Sequence, residues 1–357
     1  MQVGMNAEAV LDPGSTLVSP VAPYCLRCRT TRLIPETERL VCPDCAQDYP
    51  ITAGVTDLRL DRTMDTQLDL DSYDAAHSVS EANAWKLYSA YARGYERLEM
   101  PAGGGKVFEI GAGTGNLTTG LVRWGPFSEI HCSDISPRFM EALSAKLKPS
   151  EQQRLHRYLL DANAFPFEAE TFDVVVGSSI LHHLIHFEGT LAESLRVLKP
   201  GGVAIFGEPM MESRALAYLA AGQIVAVNAM LPKSRLDPET ERLLTVVSRI
   251  GAEKLENLKQ RGPDVEQMED KFVFSEVYMR DLARQLGFRD HWLAQYAPVE
   301  DAAEMAFTEI EAALQGTQAD LDAIRQFAPV IEPFRTAYQA ALGEYMSQDF
   351  VINVFMR

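Results

Sequence analysis

VFEIGAGTGNLT, residues 107–118, passes from an apolar run through one acid and three alternating glycines into the start of a helical pattern. A dinucleotide-binding turn spaces its glycines G-x-G-x-x-G. Here Gly111, Gly113 and Gly115 fall as G-x-G-x-G, followed by Asn116, and one residue separates Glu109 from Gly111. No Gly-Lys-Ser/Thr follows, which excludes a phosphate-cradling Walker loop. An acid at a strand tip repels a pyrophosphate and suits a ligand that carries an ammonium group. Glycine lets the backbone pass close beneath that ligand.

From residue 106 onward, apolar strands alternate with helices, the mark of a parallel α/β sheet. Strands are expected at 106–110, 129–133, 156–160, 173–178 and 202–207, and helices near 115–124, 137–148 and 188–198. LKPGG at 198–202 stops the third helix and turns into the fifth strand. Nineteen residues after Gly115, HCSDIS places Asp134 at the second strand tip. An acid there accepts hydrogen bonds from both hydroxyls of a ribose, and Ile135 can lie against an adenine face. Asp161 and Ala162, after the third strand, are placed to read the adenine amine. The implied ligand is a nucleoside with an amino-acid tail and no phosphate, which is S-adenosylmethionine.

These motifs carry a resemblance. Residues 106–208 resemble class I S-adenosylmethionine-dependent methyltransferases, and among them the quinone-biosynthesis-like small-molecule group. The matching residues are EIGAGTG at 109–115, Asp134-Ile135-Ser136, Asp161, the run FDVVVGSSILHHL at 172–184, and LKPGGVAIFGEP at 198–209. The resemblance implies an α/β fold with a seven-stranded, mainly parallel, Rossmann-like sheet. It also implies that Glu109, Gly111, Gly113, Gly115, Asp134, Ile135, Asp161, Ala162 and Ser178 hold the cofactor. In this fold the fourth strand tip, Ser178 to His183, faces the donor methyl. His182 and His183 are then candidate catalytic bases, since imidazole titrates near neutral pH; local packing is the rival reading. Glu208, at the end of the fifth strand, is a third catalytic candidate that would orient or deprotonate an acceptor, with helix capping as its rival. Tyr73 and His77 read first as a solvated helix face, with folding over the donor, as the resemblance would have it, the rival reading.

Four of the five cysteines form two pairs, Cys25/Cys28 and Cys42/Cys45, with 13 residues between the pairs. Each C-x-x-C turn presents both sulfurs to one point, and four thiolates close a tetrahedral Zn²⁺ site with no open position. Such a metal is structural rather than catalytic. Redox pairs and disulfides are the rivals, but neither pair opens a helix after a strand. Residues 21–60 resemble the zinc-ribbon family that serves as small activator subunits of RNA and protein methyltransferases, through Cys42-Pro43-Asp44-Cys45, Tyr49-Pro50-Ile51 and Gly54-Val55. In that family the ribbon docks onto a catalytic partner. Cys132, in an apolar run, reads as core.

The remaining chain divides into a tail at 1–20, a helical segment at 61–105 ending in a GGG hinge, and a methyltransferase domain at 106–357. Helical insertions at 209–270 and 300–346 flank a helix at 275–287 and a strand at 288–296, and DFVINVFMR closes the sheet. Insertions in these places sit over the carboxyl edge of the sheet and would roof an acceptor pocket. Lys+Arg number 33 against 50 Asp+Glu, so the net charge of -17 disfavours bulk nucleic-acid binding. The most apolar segment, 216–231, carries Gln223 and Asn228 and is too short to span a bilayer comfortably. With no basic, apolar leader, a cytoplasmic protein is expected.

A small-molecule acceptor, in specialised metabolism, is the leading expectation, and a homodimer is left open. No Asn/Asp-Pro-Pro-aromatic signature follows the fourth strand, which argues against amide or adenine nitrogens. An RNA or protein methyltransferase that docks its substrate on the ribbon is the alternative, supported by Arg27, Arg29, Arg32 and Arg39. A non-methylating enzyme that keeps the cofactor is the second alternative.

Overall fold

The computed structural model describes residues 21–29, 31–66, 68–76, 79–96, 98–294, 302–333 and 350–357. The 1–20 tail, His77 and the end of the second insertion lie outside them. Four short strands come first: β1 (Ile34–Glu36), β2 (Arg39–Val41), β3 (Asp48–Thr52) and β4 (Val55–Asp57) form an antiparallel meander. Helices α1 (Leu70–Ala76) and α2 (Glu81–Tyr95) follow. Then come β5 (Gly105–Ile110), α3 (Asn116–Trp124), β6 (Phe127–Asp134), α4 (Pro137–Lys146), β7 (Leu155–Leu159), β8 (Phe172–Ser178), α5 (Phe187–Val197) and β9 (Leu198–Pro209).

The expected strands and helices therefore exist, within a few residues of the expected bounds, but the sheet is larger than seven strands. Among the described residues it has eleven, ordered β1-β2-β3-β4-β7-β6-β5-β8-β9-β11-β10. The reason is a parallel pairing of β4 with β7, in register Val55↔Arg157, Thr56↔Tyr158 and Asp57↔Leu159. The meander, whose flanking turns carry the paired cysteines, thus continues the main sheet past β7. At the opposite edge, β11 (Phe350–Met356) runs antiparallel to both β9 and β10 (Asp290–Ala294).

Local chemistry sets the helix starts. Ser136 caps α4 by accepting from the Phe139 amide at 3.5 Å, and Pro137 fills the first position, where a missing N–H costs nothing. Two apolar layers cover the sheet faces. One joins Phe108, Phe167 and Phe172 to Phe187 and Leu191 of α5, and the other joins Val107, Ile130 and Val174 to Tyr91 of α2 and Leu121 of α3. Tyr91 also ties two central strands: its hydroxyl donates to the Gly177 carbonyl at 2.7 Å and accepts from the Gly207 amide at 2.9 Å.

After β9 the chain leaves the sheet as α6 (Met211–Met230) and α7 (Pro238–Asn257), then α8 (Pro263–Glu266), and returns through α9 (Glu276–Leu286) to β10. Asp237 caps α7 by accepting from the Glu239 and Thr240 amides. The second insertion supplies α10 (Ala302–Ala313) and α11 (Leu321–Arg325). Leu216, Ile224, Leu244, Phe307, Ile310 and Ile324 share one buried cluster, so the two insertions pack as one helical layer. No described helix is long and apolar enough to cross a membrane.

Candidate active site

The β5–α3 turn makes the floor of the site. Gly111, Gly113 and Gly115 all hold positive φ, at 67°, 54° and 97°. A Cβ on Gly113 would lie 2.8 Å from the Tyr73 hydroxyl, and one on Gly111 would lie 2.8 Å from Ile180 Cδ1. Only glycine fits either position. Tyr73 of α1 therefore lies over the turn, and its ring packs against Phe139 at 4.8 Å between centroids. Glu109 is 1% exposed and accepts from Thr118 Oγ1 at 2.6 Å.

Asp134 ends β6 beside this turn. Its Oδ2 accepts from the Gly113 amide and its Oδ1 from the Ser136 amide, both at 2.9 Å. A carboxylate has about four acceptor positions, so room remains for two more donors. The Leu160 amide donates to the Asp134 carbonyl at 2.9 Å, which draws the third strand tip alongside. Next to Leu160, Asp161 Oδ1 accepts from the Asn163 amide, and the Ala162 carbonyl accepts from Thr190 Oγ1 at 3.0 Å. The Ile135 carbonyl accepts from Arg59 Nη1 at 3.1 Å. Arg59 is only 4% exposed, and it also pairs with both Asp57 oxygens at 2.9 and 2.8 Å. Thr118 and Arg59 were not among the sequence candidates. Thr118 carries a signal, lying nine residues after Glu109 on the helix the glycines open, but Arg59 carries none.

Beyond β8, Ser178 leads into Ser179, whose φ of 58° is strained for a residue with a side chain. A short 3₁₀ turn, Leu181–His183, follows. Glu208 on β9 lies beneath it, fully buried, and accepts four hydrogen bonds. Its Oε1 takes the Ile180 and Leu181 amides at 3.2 and 2.9 Å, and its Oε2 takes the His182 amide at 3.3 Å and His182 Nδ1 at 2.7 Å. The other face of His182 meets Asp270, with Nε2 to Oδ1 at 3.3 Å. His183 Nδ1 donates to the Glu269 carbonyl at 2.9 Å.

Residues 108–206 match a methyltransferase domain family. That domain is of the class I S-adenosylmethionine-dependent kind. Its relatives include a ubiquinone/menaquinone biosynthesis C-methyltransferase UbiE of Idiomarina loihiensis, 29% identical over 196 residues, half of this chain and 76% of that one. The hybrid PKS-NRPS synthetase poxE of Penicillium oxalicum is 36% identical over 121 residues, or 32% of this chain and 3% of that protein. Among solved structures, a chain of the complex between the Haloferax volcanii Trm112 methyltransferase activator and a methyltransferase aligns over 82% of this chain and 98% of its own. Its identity of 15% and TM-score of 0.44 add no weight to the assignment.

The methyltransferase's cradle fits a cationic cofactor. Burial, with Asp134 close by, pushes the Glu109 carboxyl up to about 8. Burial likewise raises Asp134. Two buried acids without a basic partner are costly, and a ligand bearing a sulfonium and an ammonium offsets that cost. At the strand-four turn the two histidines differ. Burial lowers His182, but Asp270 and Glu208 outweigh it and raise its pKa overall. Burial and the neighbouring His182 lower His183 to about 4. A carbonyl only accepts, so His183 Nδ1 carries the proton and Nε2 presents a lone pair.

The methyltransferase's cysteine cluster passes a geometric test. Sulfurs at 2.3 Å from a tetrahedral ion lie about 3.8 Å apart. Cys25 and Cys45 Sγ are 3.7 Å apart, and Cys42 and Cys28 Sγ are 3.9 Å apart. No disulfide joins any of the five cysteines, and all four Sγ atoms of the two pairs fall within 4.8 Å of one another.

Proposed function

We propose that this enzyme methylates a small molecule at a carbon atom, with His183 as the proton acceptor. The lone pair left on His183 Nε2 by the Nδ1–carbonyl bond is the observation that carries this reading. S-adenosylmethionine supplies an already activated methyl group, so the chain's own residues chiefly bind, align and keep water out. In this reading Glu109 receives the ammonium, Asp134 the ribose, Ile135 and Ala162 flank the adenine, Asp161 faces its amine, and Ser178 borders the methyl. The acceptor carbon gains the methyl, and the proton it loses passes to His183 Nε2. Glu208, saturated by four donors, and His182, held between two carboxylates, act as positioning residues that fix the turn. The UbiE relatives, named as C-methyltransferases, support a carbon acceptor.

In this reading the insertions close the acceptor side. Asp270, at the end of the first, reaches His182, and the Lys271 amide donates to the His182 carbonyl at 2.9 Å. A closed face and a net charge of -17 favour a small acceptor over folded RNA. We further assign one structural Zn²⁺ to Cys25, Cys28, Cys42 and Cys45, with a reducing cytoplasm keeping the thiolates available. Incubation with metabolite pools and, separately, with total RNA tests the reading through S-adenosylhomocysteine release. Release with metabolites, and a new C–CH₃ signal in the product, is expected. Release with RNA alone would overturn it.

A further inference from the structure

The far end of the sheet holds a cluster that the methyl-transfer reading does not use. On β6, Glu129 and His131 sit two residues apart and so share one face of the strand. In the parallel register His131 lies beside His156 of β7, and their rings stack 4.7 Å apart. One ligand atom from each of Glu129, His131 and His156 lies within 4.8 Å of the others. Glu129 precedes Asp134 by five residues on the same strand, about 16 Å at 3.3 Å per residue, which separates the cluster from the cofactor cradle.

The contacts within it are those of a prearranged donor set. His131 Nδ1 meets the Tyr158 hydroxyl at 3.1 Å, which turns Nε2 toward Glu129. Metal-bound imidazoles are fixed by a bond of this kind at their second nitrogen. Lys106 holds the Oε1 oxygen of Glu129 at 2.9 Å, while Oε2 stands 3.5 Å from His131 Nε2. That gap is at the outer limit of a hydrogen bond. It matches two ligands of one tetrahedral ion, about 3.4 Å apart for bonds of about 2.05 Å.

We propose that Glu129, His131 and His156 bind a divalent transition ion, zinc or a neighbour that favours imidazole, with water completing the shell on the Glu129 side. Glu129 is 17% exposed there, which gives the ion an entry. The ion would clamp β6 to β7, the strand that also carries β4.

The 357-residue chain, dialysed against a mild chelator that leaves thiolate-bound metal in place, is titrated with cobalt(II). One equivalent should bind, giving visible d–d absorption without a thiolate charge-transfer band, and raise the melting temperature. His156→Ala should abolish this equivalent, and Glu129→Gln should weaken it at least tenfold, with circular dichroism confirming the fold. If His156→Ala does not fold, the partly exposed Glu129→Gln decides alone. No cobalt taken up by the folded wild type overturns the proposal. So does an equivalent that survives unchanged in every folded variant, since the ion would then sit elsewhere.

Discussion

Glu109 is where burial and binding pull in opposite directions. Its folded pKa, about 8, lies above the ordinary carboxylate value, so the folded state keeps a proton that the unfolded chain releases. That contribution is fully present below about pH 4.3 and is lost as pH climbs through about 8. Without cofactor, Glu109→Gln should therefore raise stability at pH 8 by about 1–2 kcal/mol, read by denaturant titration. The same variant should bind cofactor more weakly. Wild-type affinity should rise between pH 6 and 8, as the carboxylate becomes available, and the variant's profile should be flat in calorimetry. Asp134→Ala loses two charge-assisted acceptors and should cost about 2–3 kcal/mol of cofactor affinity. His183→Ala should lower turnover by roughly 100-fold with cofactor affinity unchanged. Glu208→Gln instead leaves buried amides poorly matched, and its first effect should be a lower melting temperature. The glycine spacing made the cradle legible, because positive φ and close approach leave a mark in residue type. The difference between His182 and His183 left none, since it depends on Asp270 and the Glu269 carbonyl, which only the fold brings near.

At the scale of elements, the strands and helices of 106–208 were legible because periodicity and the LKPGG stop are local. The pairing of β4 with β7 was not, because about a hundred residues separate them and nothing in a three-residue strand names its partner. The same holds for the two insertions, whose apolar faces predict burial without saying that they bury each other. Ile310→Ala, in α10, should destabilise the helical layer by about 2–4 kcal/mol. Because that layer carries the segment leading to Asp270, turnover should fall further than cofactor affinity does, as kcat measured beside calorimetric Kd would show. Arg59 makes the connection between β4 and the Asp134–Ile135 tip. Arg59→Ala leaves Asp57 without its partner, and should cost about 3–5 kcal/mol of stability, a loss measurable by denaturant titration.

For the whole molecule, the eleven-strand sheet makes the cysteine meander part of the catalytic body. Strong chelation should thus lower the melting temperature of the entire chain in a single transition, whereas an independent appendage would melt separately. Covalent connection adds something that contacts alone do not supply. The β4–β7 pairing is backed by a shared apolar core, in which Leu33, Tyr49 and Leu58 pack in one cluster with Phe108 and Phe172, and by the Arg32–Glu168 ion pair. Within one chain the second partner is always present at high effective concentration, so the docked arrangement is independent of how much protein is made. The converse concerns β7: stripped of β4, it would expose a row of unpaired amides and carbonyls, the template on which strands from other molecules assemble. The meander is therefore a built-in guard against self-association, and a chain beginning at residue 61 should form concentration-dependent oligomers in light scattering while the full chain keeps one size.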